Sequence, residues 1–213
     1  IYVLAFSIQR RSEAASLMTD CWQVERDERL GDVAMVVGET TKTDPDSDAR
    51  WVVPGHVRRA VEAATFITRM RQRNLPPQQH DPDLPLPLFM VDIDGWSPSI
   101  SRDATSTTLN VSTLIKNNPK LFNPIDIIVT AEDWKFAQAL TPNLTKKPGM
   151  GIGLPWVLHA HQFRRTTAIN MFASNSVSEN TIQWLMKHKN REMTLYYGRH
   201  YGKVKLNSAA ESL

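Results

Sequence analysis

The sequence predicts a mainly helical α+β domain that contains one small antiparallel β-sheet. Apolar residues recur at helical spacing in several stretches, and two short segments rich in β-branched and aromatic residues flank a polar loop. The chain has 213 residues, of which 41% are apolar and 22% are charged. These values suit one large globular domain or a domain with an appendage.

The composition excludes several other classes of protein. The single cysteine, Cys21, cannot form a disulfide within the chain and is expected to be a small buried residue. No stretch holds the roughly 20 apolar residues that cross a bilayer. The apolar residues 1–8 are followed, not preceded, by basic residues, unlike a signal peptide. We therefore expect a cytoplasmic protein without a membrane partner.

The first part of the chain predicts helix, hairpin and helix in that order. Residues 1–19 match helical spacing, with an interruption near Ser7. Residues 32–37 and 51–53 are the predicted strands, and a polar loop separates them. Residues 57–74 follow as a helix. The apolar stripe of this helix consists of Val57, Ala60, Val61, Ala64, Ile67 and Met70.

The remainder of the chain is also predicted to be helical. Between residues 76 and 150 the clearest signal is Thr130–Asp133, which resembles an N-terminal helix cap. Residues 161–173 form the next predicted helix, and a capping box at Ser176–Glu179 opens another. The large aromatic residues of this part are expected in the core: Trp156, Phe163 and Trp184.

Basic residues are concentrated in two segments, although the formal net charge is only +3. Residues 1–56 carry 6 basic and 10 acidic side chains, whereas residues 156–205 carry 8 basic and 2 acidic ones. The helix at residues 57–74 adds five arginines and one glutamate. These two segments would attract a polyanion most strongly, and the alternative interpretation is a solvated basic face.

Four short motifs become informative when they are taken in order. They are Arg10-Arg11-Ser12-Glu13, Lys42 at the predicted hairpin tip, His161-Gln162-Phe163-Arg164, and His188 followed nine residues later by Tyr197. The spacing of three residues places His161 and Arg164 on one face of a helix.

This ordered set resembles the C-terminal catalytic domain of the tyrosine recombinase (phage integrase) family. The family pattern has Arg-x-Ser-Glu, a hairpin lysine, a His-x-x-Arg helix, and a histidine nine residues before the nucleophilic tyrosine. The resemblance runs from Gln9 to Tyr197, and residues 75–155 add almost nothing to it. It implies a site-specific recombinase or integrase of bacterial or mobile-element type. Such an enzyme cleaves and rejoins DNA strands through a 3′-phosphotyrosine intermediate.

The resemblance implies a role for each matching residue. The catalytic residues would be Arg10, Lys42, His161, Arg164, His188 and the nucleophile Tyr197. Glu13 would support this site from behind. The basic neighbours of the motifs would contact DNA: Arg11, Arg165, Lys187 and Lys189. Neither a metal, a cofactor nor a small-molecule substrate is implied.

The residue types suit this chemistry. Two guanidinium groups can bind the negative charge that develops on a phosphodiester under attack. Together with an imidazole, they favour deprotonation of a phenol, which is otherwise a poor nucleophile at neutral pH. A lysine can protonate the departing 5′ oxygen. The sequence shows no carboxylate or Cys/His cluster with metal-site spacing.

Several assignments have alternatives within the sequence. Arg10 alone would be explained by an ion pair with Glu13, and His188 by a favourable position at a helix C-terminus. The rival residues at other positions are Arg50 for Lys42, His159 for His161, and Tyr196 for Tyr197. We expect the ring of Tyr196 to pack inward.

The resemblance also implies how the chain is organised. Residues 1–213 correspond to the catalytic domain, and the separate N-terminal DNA-clamping domain of whole recombinases is expected to be absent. Some part of residues 76–150 is expected to be an insertion. The partner is double-stranded DNA, and the assembly is a homotetramer on two DNA duplexes. Residues 198–213 correspond to a tail that docks on a neighbouring protomer.

Two other functions share part of this pattern. A type IB topoisomerase uses the same phosphotyrosine chemistry to relax supercoils as a monomer, but the spacing from His188 to Tyr197 favours the recombinase. A non-catalytic DNA-binding module of the same fold would not need every candidate catalytic residue.

Overall fold

The computed structural model of the chain contains several helices and one small sheet. The structure describes residues 1–40, 46–74, 77, 80–81, 83–90, 111–118, 120, 124–140, 144 and 149–198. Within these residues, the predicted fold class is confirmed: an α+β fold with one small antiparallel sheet. No helix in these ranges is long and apolar enough to cross a membrane.

The N-terminal segment forms two short helices instead of one. Helix α1 spans Tyr2–Ser7, and helix α2 spans Arg11–Ala15. Between them, Ile8 has a left-handed backbone conformation with φ of 57° and is only 2% exposed. A left-handed residue ends a helix and turns the chain. The predicted interruption near Ser7 is therefore confirmed.

The sheet consists of β1 (Trp22–Asp27), β2 (Gly31–Thr40) and β3 (Asp46–Val52), paired antiparallel in that order. β2 and β3 form the predicted hairpin, but both strands extend further into the polar segment than expected. The hairpin tip, which includes Lys42, lies outside the described residues. The sequence does not predict β1, because five of its six residues are exposed and no apolar alternation marks it.

Helix α3 spans Arg58–Gln72, and its N-terminal half packs on the sheet. The predicted apolar stripe is wrong at the other end, where Ile67 and Met70 are 49% and 51% exposed. Thr68 is buried there instead, because its hydroxyl donates to the Leu88 carbonyl oxygen at 2.9 Å. The core cluster between sheet and helix contains Val3, Leu17, Cys21, Val36, Val53, Val57, Val61 and Leu88.

Helices α4 (Val111–Asn117) and α5 (Ala131–Leu140) lie in the stretch that carries few sequence signals. The predicted cap of α5 is confirmed, because the Asp133 backbone N–H donates to Thr130 Oγ1 at 3.1 Å. Val111 of α4 packs in a core cluster with Leu4 and Ala14 of the N-terminal helices and with Ala160.

Helices α6 (Ala160–Ser174) and α7 (Glu179–Leu185) are followed by the helical residues 191–198, here named α8. One core cluster joins these three helices to the turn between α1 and α2. Its buried members are Ile8, Ala168, Ile182, Leu185, Met186 and Tyr197. The C-terminal helices are thereby fixed against the N-terminal segment that contains Arg10.

Two details of this region differ from the predictions. The N-cap of α7 is Ser178, whose hydroxyl accepts from the Thr181 N–H at 3.1 Å, so the predicted start at Ser176 is two residues early. Trp184 is 50% exposed instead of buried, and the Lys187 ammonium lies 4.0 Å from the centre of its ring. A cation over an indole face is a favourable contact that does not require burial.

Candidate active site

Segments from both ends of the sequence meet at one open cleft of about 740 Å³. Its wall is formed by the start of α2, one face of α6, and residues 188–197. The residues that line it are Gln9, Arg10, Arg11, Ser12, His161, Arg164, His188, Glu192, Met193, Tyr196 and Tyr197. Five of the six predicted catalytic residues are among them, and the sixth, Lys42, lies outside the described residues.

Arg10 is held in the cleft by a reciprocal cap at the start of α2. Its backbone N–H donates to Glu13 Oε2 at 2.5 Å, and its Nη1 donates to Glu13 Oε1 at 2.6 Å. The buried Glu13 carboxylate also accepts from the Thr40 hydroxyl at 2.7 Å, which ties α2 to the end of β2. On its other side, Arg10 Nη2 lies 3.4 Å from the Lys187 carbonyl oxygen. Arg10 therefore forms an ion pair with Glu13 and also lines the cleft.

Arg164 projects from α6 and is only 1% exposed. It donates to the carbonyl oxygens of Ile8 and Met186, and its Nη1 lies 3.9 Å from Glu13 Oε2. Burial and the neighbouring Arg10 lower the pKa of Arg164, whereas Glu13 opposes this effect. Guanidinium groups remain protonated in proteins. The negative charge of Glu13 thus offsets the repulsion between the guanidinium groups of Arg10 and Arg164, which lie side by side.

His188 connects Arg164 to helix α8. Its Nε2 lies 3.1 Å from Arg164 Nη2, and its Nδ1 lies 3.0 Å from the hydroxyl of the fully buried Thr194. Because a guanidinium can only donate, Nε2 must accept, and Nδ1 therefore carries the proton and donates to Thr194. Burial, followed by the charges of Arg164 and Arg10, lowers the pKa of His188 to about 4. At neutral pH its imidazole is therefore neutral.

This lowered pKa predicts a pH-dependent stability. The folded-state pKa lies below that of the unfolded chain, so the folded protein binds this proton less well. The contribution of neutral His188 is present above about pH 6.5 and decreases as the pH falls toward 4. We expect the free energy of unfolding to fall by up to about 2 kcal/mol more between pH 7 and pH 5 in the wild type than in His188→Gln.

Urea unfolding of both proteins at several pH values measures this difference. The His188→Gln variant is the matched control, since it keeps a polar side chain but cannot titrate. Equal pH slopes for the two proteins would contradict the buried, neutral state of His188.

Tyr197 lies on α8 with 8% of its surface exposed. Its hydroxyl is 3.4 Å from His161 Nε2. The ring centroids of Tyr197 and His188 are 5.4 Å apart. The Tyr197 phenol therefore lies beside two imidazoles, in a cleft that the side chains of Arg10 and Arg164 also line.

Of the three rival residues, Tyr196 lines the cleft, whereas His159 and Arg50 do not. Tyr196 is 52% exposed, so the expectation that its ring packs inward is wrong. His159 is the N-cap of α6 and does not line the cleft. Arg50 forms ion pairs with Glu25 and Asp48 on the surface of the sheet.

The four predicted DNA-contacting residues are less tightly grouped. Arg11 is exposed at the cleft wall, and Lys189 is exposed outside it. Arg165 is partly buried, with Cζ 5.8 Å from the centre of the Tyr196 ring. Lys187 is in a left-handed conformation with φ of 50°, and burial lowers its pKa. Its ammonium lies over a tryptophan ring, as described above.

Sequence reasoning missed several residues of the site. Gln9, Glu192 and Met193 line the cleft, and Thr40 and Thr194 hold its charged groups. The spacings of three and four residues before Tyr197 would place Thr194 and Met193 on its helical face. Nothing in the sequence links Thr40 to Glu13. Among the described residues, no group of three or more His, Cys, Asp or Glu side chains could hold a metal ion.

Comparison with known proteins gives matches to solved structures. No protein-family model and no curated protein sequence matches the chain. A tyrosine variant of the Tn1549 transposon integrase, in complex with transposon right end DNA, matches with 14% identity and a TM-score of 0.41. The match covers 98% of this chain and 57% of the integrase chain.

The same integrase in complex with circular intermediate DNA matches with 15% identity and a TM-score of 0.37. This match covers 92% of this chain and 52% of the integrase chain. The chain therefore spans about half the length of the solved integrase chains that it matches.

Proposed function

We propose that this chain is a DNA strand-breaking and rejoining enzyme of the recombinase type, with Tyr197 as its nucleophile. The observation that carries the proposal is the position of the Tyr197 hydroxyl, 3.4 Å from His161 Nε2 in the cleft that Arg164 also lines. Arg10 lines the same cleft. This is the set of groups that attack on a phosphodiester by a phenol requires.

In the proposed reaction, Tyr197 Oη attacks the scissile phosphorus while His161 Nε2 takes the phenolic proton. A bond forms between Oη and phosphorus, and the bond from phosphorus to the 5′ oxygen breaks. The 5′ oxygen leaves with a proton, which we assign to Lys42. The products are a 3′-phosphotyrosine linkage and a free 5′-hydroxyl, and attack by a 5′-hydroxyl on the linkage rejoins the strand.

Arg10 and Arg164 would bind the non-bridging oxygens, where negative charge increases in the transition state. Because their contacts with Glu13 and with backbone carbonyls already fix them, little reorganisation is needed when the charge develops. Neutral His188 accepts from Arg164 and so orients this guanidinium.

The partner in this proposal is double-stranded DNA, bound by a homotetramer on two duplexes. Residues 1–213 act as the catalytic domain, and part of residues 76–150 is an insertion. The residues that would contact DNA outside the reacting phosphate are Arg11, Arg165, Lys187 and Lys189. All four are basic, and each is next in the sequence to Arg10, Arg164 or His188, which line the cleft.

A covalent-capture experiment tests the proposal. The chain is incubated with a pool of nicked duplexes of randomised sequence, in which the fragment that carries the 5′-hydroxyl diffuses away after cleavage. We expect a protein–DNA adduct that survives a denaturing gel, and sequencing of the captured DNA would then identify the target. The absence of any adduct across the pool would contradict the proposal. Relaxation of supercoiled plasmids without captured target sequences would favour the topoisomerase alternative.

A further inference from the structure

The side-chain amide of Gln9 is a polar group that the proposed mechanism does not use. Gln9 lies between α1 and α2, lines the cleft directly before Arg10, and is 1% exposed. Its Nε2 is buried and has no hydrogen-bond partner among the described residues. A buried donor without a partner costs free energy, so it requires an explanation such as a ligand.

The other end of this amide is held in place. The Ser7 hydroxyl donates to Gln9 Oε1 at 3.0 Å and accepts from the Gln9 backbone N–H at 3.4 Å. The oxygen end of the amide is therefore satisfied by the Ser7 proton. The nitrogen end has no partner in the part of the chain that the structure describes.

The surroundings of Gln9 favour an anion. Arg10 is its chain neighbour, and Arg164 donates to the carbonyl oxygen of the preceding residue, Ile8. The nearby Glu13 carboxylate is already paired with Arg10 and Thr40. A neutral amide adds a donor to this site without adding a third positive charge to two guanidinium groups. Side-chain amides serve this purpose where a negatively charged oxygen develops.

We propose that Gln9 is a further phosphate-binding residue, whose Nε2 donates to a non-bridging oxygen of the scissile phosphate. This inference rests on the proposed strand-cleavage function and adds a third donor side chain to Arg10 and Arg164.

Two substitutions test this role in the full chain. Gln9→Leu removes the donor, and Gln9→Met is a second variant of similar length without one. We expect each to reduce the rate of covalent capture by roughly 10²–10³-fold, with a thermal unfolding midpoint close to that of the wild type. The matched control is Gln23→Leu on the exposed face of β1, which should capture DNA at the wild-type rate. A fall in rate only in proportion to the unfolded fraction would show a structural role.

Methylphosphonate DNA locates the contact, because each diastereomer lacks one non-bridging oxygen at the captured cleavage position. We expect Gln9→Leu and the wild type to react at equal rates on the diastereomer that lacks the bound oxygen. An unchanged ratio of their rates on phosphate DNA and on both diastereomers would overturn the inference. Equal rates for Gln9→Leu and the wild type on phosphate DNA would overturn this inference but not the proposed function. If the wild type forms no adduct, the proposed function and this inference are both overturned.

Discussion

Replacing Tyr197 with Phe should abolish covalent capture of DNA while DNA binding is retained. The variant keeps the ring that packs in the core cluster and loses only the phenolic oxygen, which is the proposed nucleophile. The lost hydrogen bond to His161 should cost about 1 kcal/mol of stability. A denaturing gel measures the adduct, and a mobility-shift gel measures binding.

Tyr196→Phe is the matched control for this experiment. Tyr196 is the neighbouring tyrosine, and it is 52% exposed. Its variant should form the adduct at the wild-type level. Capture by Tyr197→Phe, or loss of capture in Tyr196→Phe alone, would show that the nucleophile is misassigned.

Replacing Arg164 with Lys should reduce the rate of covalent capture by roughly 10²–10³-fold. A lysine carries one charge at a point and cannot reproduce the planar fork of donors. The same change leaves the carbonyl oxygens of Ile8 and Met186, as well as His188 Nε2, short of a donor. We therefore also expect a loss of about 1–3 kcal/mol in the free energy of unfolding.

The control for this variant is Arg191→Lys, an arginine that is exposed and paired with Glu179. It should leave both stability and capture close to the wild-type values, because an exposed ion pair contributes little. Urea unfolding gives the folded fraction of each protein, and capture is compared per folded molecule. Near-normal capture by folded Arg164→Lys would remove Arg164 from the catalytic group.

The fold class was predictable because the elements that carry it have strong local signals. The helical periodicity after Val57 and the cap at Thr130 depend only on neighbouring residues. β1 was not predictable, because an exposed strand has no apolar face to mark it. The burial of Thr68 could not be predicted from its neighbours, since its hydrogen-bond partner lies 20 residues away in a different segment.

The candidate site was predictable as a set of residues but not as a geometry. Motif order and spacing selected Arg10, Arg164 and Tyr197, and a spacing of three placed His161 beside Arg164. Contact between the N-terminal and C-terminal motifs depends on the shared core cluster, which no local pattern reveals. The Ile8 carbonyl that holds Arg164 is 156 residues away in the chain.

The supporting contacts required coordinates for the same reason. Thr194 could be placed on the face of Tyr197 by spacing, but its bond to His188 Nδ1 depends on the turn between α7 and α8. Only the three-dimensional structure shows that Gln9 Nε2 has no hydrogen-bond partner among the described residues. Sequence patterns identify residues that can take part in chemistry. The protonation state of a side chain, and whether its donors have hydrogen-bond partners, depend on how the chain packs.

Mass spectrometry of the captured protein tests the central assignment most directly. Trypsin releases a peptide covering residues 192–199, which contains Tyr196 and Tyr197 next to each other. After nuclease digestion of the adduct, fragmentation between these residues shows which one carries the nucleotide. We predict a nucleotide 3′-phosphate on Tyr197 alone. A modified Tyr196, or attachment anywhere else in the chain, would contradict the account.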